Sequence, residues 1–407
     1  MRMRVSNAAC AALLLFASAA SADPRGFAMG GTEEAVATGV DAVRWNPALL
    51  GLPFSPSVSV RLFEAGARAS NNAWSLDQYN KYDGATWGDA AKSDILGSVP
   101  QDGLTFATSA LGGAGVSVGP AGVYLDGVGA GLGNVSKDGL DFALNGNSLD
   151  RVYSLTGTTG QGYASAQALF GLAIPLHAGP GEAQAFGIQV GYERGIRWEQ
   201  GTALSASFQA SSDTASALGD FLYREGTRGS GYTVGVGYAR MAEGGARMSF
   251  AIRDLLNRTT WTGTDRGYHL RGTHGLSGTE NFDSLFSSST DPAVPVQFST
   301  RRAPVVSAGV VSPPGRTTVS ALLEKGLGES PGVSSQLRAA WGVEWSAVSV
   351  LALRGGVSLG GGVGTWFSGG VGLHAGPWRL DLGVGSRGLT PSHVSGIGVS
   401  VGSSIQL

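Results

Sequence analysis

Apolar and polar residues alternate along most of the chain with a period of two residues. Between Gly396 and Leu407, for example, Ile397, Val399 and Val401 alternate with small or polar residues. Successive side chains of a β-strand point to opposite faces, so this alternation predicts strands with one apolar face. The predicted strands are 56–69, 103–118, 121–134, 151–175, 184–198, 229–241, 246–257, 301–312, 316–324, 335–345, 347–358, 364–375, 378–386 and 395–407.

The connections between these strands are alternately short and long. Gly119-Pro120 and Gly376-Pro377 are short turns, whereas 70–102, 199–228 and 258–300 are long. Short turns on one side, long loops on the other and an even strand number are typical of outer-membrane barrels. A sheet in lipid must also close, because lipid satisfies no backbone hydrogen bond.

The sequence therefore predicts an all-β protein in which residues 55–407 form a transmembrane antiparallel β-barrel of about 14 strands. Its outward apolar face would contact the lipid of a bacterial outer membrane. A secreted β-sandwich or a solenoid is the alternative, because either would also show alternation. The long loop at 70–102 has a helical pattern around "TWGDAAKSDILGSV".

Composition narrows the class of protein further. Glycine accounts for 66 of 407 residues, about twice the usual share, and many glycines lie on the inner faces of the predicted strands. Glycine there suits a crowded lumen and a sharply bent sheet. Charged residues make up 14% and the net charge is −2, which gives no indication of nucleic-acid binding.

Residues 1–22 have the pattern of a signal peptide. Arg2 and Arg4 precede an apolar run, and Ala20-Ser21-Ala22 has the small-residue form of a cleavage site. A buried N-terminal helix is the alternative. Cys10, the only cysteine, would be removed with this segment. We therefore expect no disulfide, cysteine metal site or cysteine nucleophile in the mature chain.

The segment 23–54 lacks strand periodicity and is predicted to be a luminal plug. A barrel of fourteen strands is too wide for its side chains alone to fill. "TEEAVATGV" could form two helical turns with Thr32 as a cap, and Pro47 would force Asn46 out of the helical region. A periplasmic tail is the alternative. The side chains expected inside the lumen are those of Trp45, Leu49 and Leu50.

This N-terminal segment resembles a known family. "GFAMGGTEEAVATGVDAVRWNPALLGL" is similar to the hatch of the FadL-like outer-membrane transport proteins, a superfamily related to the PorV-like barrels. The family's box usually continues with Gly-Leu, whereas this chain has Leu49-Leu50-Gly51. This departure, together with Trp45, makes the segment similar to an uncharacterised branch of the family. The residues that match the family pattern are Gly30, Gly31, Asn46, Pro47 and Ala48.

The resemblance implies passive transport. Hydrophobic compounds would enter from the outer loops, bind in the barrel and pass a movable hatch. Secretion-associated members instead bind protein partners, so a structural barrel that binds a partner through its long loops is the alternative. The residues that the resemblance assigns to the hatch and its gating are Gly30, Gly31, Trp45, Asn46, Pro47 and Ala48.

Charged residues on the predicted inner faces form a second set of candidates. They could pair across strands and hold the plug, or simply keep the lumen polar. These predicted luminal charges are Glu193 with Arg197, Arg338 with Glu344, and Arg379 with Asp381.

No catalytic constellation is recognisable, and we expect neither enzymatic activity nor a cofactor. His269 and His274 lie five residues apart in a predicted loop, where a solvated loop is favoured over a metal site. The apolar terminal strand predicts recognition by the barrel assembly machinery. It ends at Leu407, where resembling barrels usually carry an aromatic residue.

Overall fold

The computed structural model describes residues 23–179, 181–275, 286–362, 364–390 and 392–407. The predicted signal peptide, residues 1–22, lies outside the described residues. The strands are Val58–Asn71 (β1), Leu104–Val118 (β2), Ala121–Val135 (β3), Val152–Ser154 (β4), Thr159–Gly179 (β5), Glu182–Ala210 (β6), Thr214–Met241 (β7), Arg247–Gly275 (β8), Ser287–Thr290 (β9), Val294–Thr300 (β10), Val305–Val311 (β11), Thr317–Gly326 (β12), Arg338–Val348 (β13), Leu351–Gly360 (β14), Trp366–Ala375 (β15), Trp378–Arg387 (β16) and Gly396–Gln406 (β17).

These strands form one antiparallel sheet that closes on itself, because β1 pairs with both β2 and β17. β10 and β11 both pair with β8 and act as one interrupted strand. β4 and β9 are short segments that pair only near the ends of β6 and β8. The barrel in the described part of the chain therefore has fourteen strands, and the predicted fold class is confirmed.

Two predicted loops were wrong. Residues 199–210 and 214–228 continue β6 and β7, and residues 258–275 continue β8; these strands are 29, 28 and 29 residues long, and β9 and β10 lie in the described part of 286–300. A strand needs only about 10 residues to cross a membrane. The three strands therefore rise far beyond the bilayer, where neither face must be apolar and the period-two signal fades.

The outer connections contain helices. Leu76–Tyr82 (α4) and Asp89–Ser98 (α5) lie in the connection between β1 and β2, in agreement with the helical pattern noted there, and Lys137–Asn145 (α6) follows β3. Within the described residues, none of the helices is both long and apolar enough to cross a membrane.

Large apolar side chains cover the outside of the barrel. On β17, Ile397 and Val399 are 60% and 56% exposed, whereas Gly398 and Ser400, which alternate with them, are buried. The same outward arrangement holds for Leu382 and Val384 on β16. An apolar outer band with small or polar residues inside is the pattern that a barrel in lipid requires.

The N-terminal segment lies inside this barrel. The plug, residues 23–54, comprises three short helices and a 3₁₀ turn, and nearly all of its residues are buried. The elements are Pro24–Ala28 (α1), Glu33–Val36 (α2), Asp41–Trp45 (α3) and the 3₁₀ turn Pro47–Gly51.

The predicted two-turn helix after Thr32 was wrong. α2 has one turn, and the Thr32 hydroxyl does not cap it. Instead, this hydroxyl lies 3.1 Å from the Met29 carbonyl and 2.9 Å from the Ser320 hydroxyl on the wall. Gly39 then turns the chain with a φ of +57°. Contacts with the wall therefore determine the local conformation more strongly than helix propensity does.

Candidate functional site: the plug and the cavity beside it

Asn46 fastens the plug to the wall. Its backbone is extended, and its Oδ1 accepts a hydrogen bond from the amide of Ala48 at 3.1 Å, so it caps the 3₁₀ turn that Pro47 begins. Its Nδ2 donates to the carbonyl of Phe250 at 3.2 Å and lies 3.5 Å from that of Tyr238. One side chain thus fixes both the shape of the turn and its place on the barrel.

Two wall glycines make this approach possible. Gly187 on β6 and Gly237 on β7 are register partners directly beneath the turn. A Cβ on Gly187 would lie 2.1 Å from the Ala48 nitrogen, and a Cβ on Gly237 would lie 2.0 Å from the Asn46 Oδ1. Only glycine allows so close a contact. We call these two residues the glycine seat.

The Gly30-Gly31 pair makes the second docking point. Both residues have positive φ, +79° and +83°, a conformation that favours glycine. The Gly30 amide donates to the Ser368 hydroxyl at 2.9 Å, and the Gly31 carbonyl accepts from Arg338 Nη1 at 3.0 Å. The plug backbone is therefore bound directly by wall side chains.

Trp45 lies between two cations. The guanidinium of Arg44 is 5.2 Å from its ring and that of Arg253 is 4.9 Å away, which are cation–π contacts. Arg253 comes from the wall and also binds Glu34 of the plug at 2.7 Å. Leu49 and Leu50 are buried against small wall residues such as Ala173 and Ala185.

A chain of charges connects the plug to the wall at α1. Arg25 binds both carboxylate oxygens of Glu344, at 2.8 and 2.9 Å. Arg354 bridges Glu344 and Asp381, each at 2.6 Å. The structure therefore brings Glu344 and Asp381 together through an arginine that the sequence analysis did not select.

The other predicted charge pairs are not formed as expected. Arg338 pairs with Glu324 at 3.1 Å rather than with Glu344. Arg379 lies half-buried and forms no ion pair with a described residue.

Glu193 and Arg197 do not share a face. Glu193 is buried and binds Arg302 at 2.5 Å. A β-bulge at Ile196 shifts the register, so the side chains that follow it point to the opposite face of the strand from the one expected. Arg197 is consequently 48% exposed and pairs with Glu199 and Glu225. The prediction that Arg197 is luminal was wrong for this reason.

A buried carboxylate cluster surrounds Arg61, and no sequence pattern indicated it. Arg61 binds Asp41 of the plug and lies 3.5 Å from Glu64 and 3.9 Å from Asp23. All four side chains are nearly inaccessible to solvent. Burial, together with the neighbouring Asp41 carboxylate, raises the pKa of Asp23 to about 8.

A cavity of about 410 Å³ lies between the plug and the wall. It adjoins Trp45, but its lining is not mainly apolar. Val128, Leu132 and Tyr163 form an apolar patch within it. Five wall arginines also line it: Arg68, Arg253, Arg302, Arg338 and Arg387.

The sequence also offers apolar side chains in the outer connections as the lining of an entry site, namely Trp74, Trp87, Phe282, Leu285 and Phe286. Trp87 is exposed, Trp74 packs on Phe106 and Phe286 packs on Phe208. Phe282 and Leu285 lie outside the described residues. His269 binds Asp220 at 2.7 Å and Asp291 at 3.0 Å. Among the described residues, no cluster of three or more potential metal ligands occurs.

No protein-family model matches the chain, and no curated protein matches it. Solved structures do. The toluene transporter TodX of P. putida matches with a TM-score of 0.54 at 12% identity, over 96% of this chain and 99% of that one. A Pseudomonas aeruginosa FadL homologue matches with a TM-score of 0.51 at 10% identity, over 96% and 99%. The CymD monoaromatic hydrocarbon channel matches with a TM-score of 0.51 at 10% identity, over 94% and 97%.

These likenesses extend over nearly the whole of each chain, although sequence identity is low. The resemblance stated from the N-terminal box is thus confirmed at the level of the fold. The chain has the fold of the FadL-like outer-membrane channels, a closed 14-strand antiparallel barrel with an N-terminal helical segment inside.

Proposed function

We propose that this protein is a non-enzymatic outer-membrane channel through which small, mainly hydrophobic compounds pass passively, and that residues 23–54 gate its lumen. The observation that carries the proposal is the docking of the Asn46-Pro47-Ala48 turn on the glycine seat. Two of the similar proteins, a toluene transporter and a monoaromatic hydrocarbon channel, support the class of cargo.

The contacts that hold the plug are made by side chains and are separate from the strand pairing of the barrel. They include the Arg25–Glu344 pair, the Asn46 amide on the Phe250 carbonyl, and the Gly31 carbonyl on Arg338. Residues 23–54 contribute to none of the strands. Breaking these contacts would therefore move the plug while the strand pairing stays intact.

Deletion of residues 26–50 tests this function. The intact and the deleted protein are reconstituted in liposomes, and the efflux of a small polar dye and the flux of labelled toluene are measured. Gel mobility before and after boiling verifies that both barrels have folded. We expect faster dye efflux from the deletion variant and toluene flux through the intact protein. Equal dye efflux from two folded barrels would show that the segment does not close the lumen.

A second candidate function is favoured by the length of β6, β7 and β8. Their outer parts form a sheet with exposed apolar side chains such as Leu204, Leu218 and Tyr268. This surface suits a protein partner of a secretion-associated or structural barrel. Replacing residues 204–220 by a tight turn separates the two functions. A channel would keep its toluene flux, whereas a partner-binding barrel would lose a protein that co-purifies with the intact form.

A further inference from the structure

Arg68, at the edge of the cavity, has no carboxylate in ion-pair contact among the described residues; Glu33 and Glu324 line the same cavity and act on it only through space. It lies on β1, and its guanidinium is 5.3 Å from the ring of Phe27 on the plug and 4.7 Å from that of Trp366 on the wall. Among the described residues it forms neither a hydrogen bond nor an ion pair, and its Nε is shielded from solvent without a partner. The guanidinium of Arg68 therefore makes cation–π contacts with these two rings.

The neighbouring arginines differ from Arg68 in this respect. Of the five other arginines that line the cavity, Arg387 donates to the Asn71 carbonyl and each of the remaining four binds a carboxylate of the protein. The pairs are Arg44 with Asp126, Arg253 with Glu324, Arg302 with Glu193, and Arg338 with Glu324. A desolvated charge without a partner is costly, and cation–π contacts offset only part of that cost. An anion that enters the cavity would supply the missing charge.

Ser109 provides a second polar group at the same place. It is the register partner of Arg68 on β2 and lines the same cavity. Its side chain is 2% exposed, and its hydroxyl has no hydrogen-bond partner among the described residues. A guanidinium and a hydroxyl side by side form a donor set that suits a carboxylate.

We propose that this cavity binds a small organic carboxylate, with the carboxylate group on Arg68 and Ser109 and the apolar body against Val128 and Tyr163. A volume of about 410 Å³ is sufficient for a compact organic molecule. Glu33 and Glu324 also line the cavity or its edge, so a monoanion is favoured over a dianionic phosphate. A neutral hydrocarbon would leave Arg68 without a direct ion-pair partner.

This inference specifies the chemical class of the channel's cargo. Transport of the carboxylate rests on the proposed function, whereas its binding does not. The binding itself is testable on the full chain in detergent micelles, with labelled benzoate as the probe. Toluene is the matched neutral compound, since it carries a methyl group where benzoate carries the carboxylate.

We expect one saturable benzoate site that toluene does not compete for. Arg68→Met should weaken benzoate binding about tenfold or more, and Ser109→Ala should weaken it by a factor of a few, as expected for charged and neutral hydrogen bonds. Arg68→Lys should retain part of the affinity. Arg197→Met is the control, because Arg197 does not line the cavity and pairs instead with Glu199 and Glu225. This variant should bind benzoate as the unmodified protein does.

Unchanged benzoate affinity in both Arg68→Met and Ser109→Ala, or full competition by toluene, would overturn the site. Arg68 also touches Phe27 of the plug, so the dye-efflux assay is run on Arg68→Met to detect a loosened plug. Ser109 has no hydrogen bond to the plug, and its variant therefore tests the site independently. Benzoate binding without flux of either compound would refute the proposed function alone, whereas toluene flux without benzoate binding would refute this inference alone.

Discussion

Gly187→Ala should open the channel without disturbing the barrel. The added Cβ would lie 2.1 Å from the Ala48 nitrogen, 2.5 Å from the Pro47 carbonyl carbon and 2.7 Å from the Ala48 Cα. All three are backbone atoms, so no side-chain rotation relieves the overlap. Ordinary contact begins near 3.4 Å, and the turn must therefore withdraw from the wall by about 1.3 Å.

The cost of this displacement follows from the contacts at the turn. Withdrawal lengthens the 3.2 Å hydrogen bond from Asn46 to the Phe250 carbonyl beyond bonding distance, a loss of about 0.5–1.5 kcal/mol. Residual overlap adds about 1–3 kcal/mol. Docking of the plug should weaken by roughly 2–4 kcal/mol. That energy corresponds to an open population about 30-fold to several hundredfold larger.

The assay is dye efflux from liposomes that contain equal amounts of folded protein. Gly127→Ala is the control, because Gly127 is also a strand glycine and a Cβ there would meet no atom within 4 Å. We expect fast efflux from Gly187→Ala and unchanged efflux from Gly127→Ala. If the two folded variants leak at the same rate, the glycine seat does not hold the plug closed.

Three further outcomes are expected. Glu344→Gln removes the carboxylate that Arg25 and Arg354 share, so the free energy of unfolding measured by thermal or denaturant melts should fall by about 3–5 kcal/mol. Glu199→Gln, in a pair whose arginine is 48% exposed, should cost at most about 1 kcal/mol. Hydrogen bonds to Asp220 and Asp291 raise the pKa of His269 above 6.5, so the tip of the hairpin is stabilised below pH 6.5 and loses this stability as the pH rises through the pKa of the folded state. Amide exchange at the tip, corrected for its intrinsic pH dependence, should therefore be slower at about pH 6 than at about pH 9. His269→Gln should abolish the difference. The closed barrel should migrate differently on SDS gels before and after boiling, and a single boiled-like band from a natively extracted sample would contradict the closed sheet.

The strands that cross the membrane were predictable from the sequence because lipid enforces a simple pattern. The predicted strand 395–407 corresponds to β17 at Gly396–Gln406, and 121–134 to β3 at Ala121–Val135. Above the membrane this constraint is lost. Both faces of a strand can carry polar side chains where they are exposed to water, so apolar and polar residues no longer alternate. The outer halves of β6, β7 and β8 were consequently interpreted as loops.

The site was only partly predictable. Asn46 and its neighbours were identified through their resemblance to a known box, but their contacts on the wall come from strands about 140–200 residues later, and no single-sequence pattern links them. Gly187 and Gly237 resembled any other inner-face glycine. Arg197 was misplaced because one extra residue in a strand reverses which face the following side chains occupy. The buried cluster around Arg61 depends on similar long-range proximity.

Only three residues, Ser55 to Ser57, join the plug to β1. A linker of that length spans at most about 10 Å, which is less than the thickness of the bilayer. The plug therefore stays tethered at the barrel mouth after it has undocked, at an effective concentration on the order of millimolar. Reclosure is a first-order process whose rate does not depend on how many copies the membrane holds. A free peptide of the same sequence would block the open channel only if it bound at comparable concentrations.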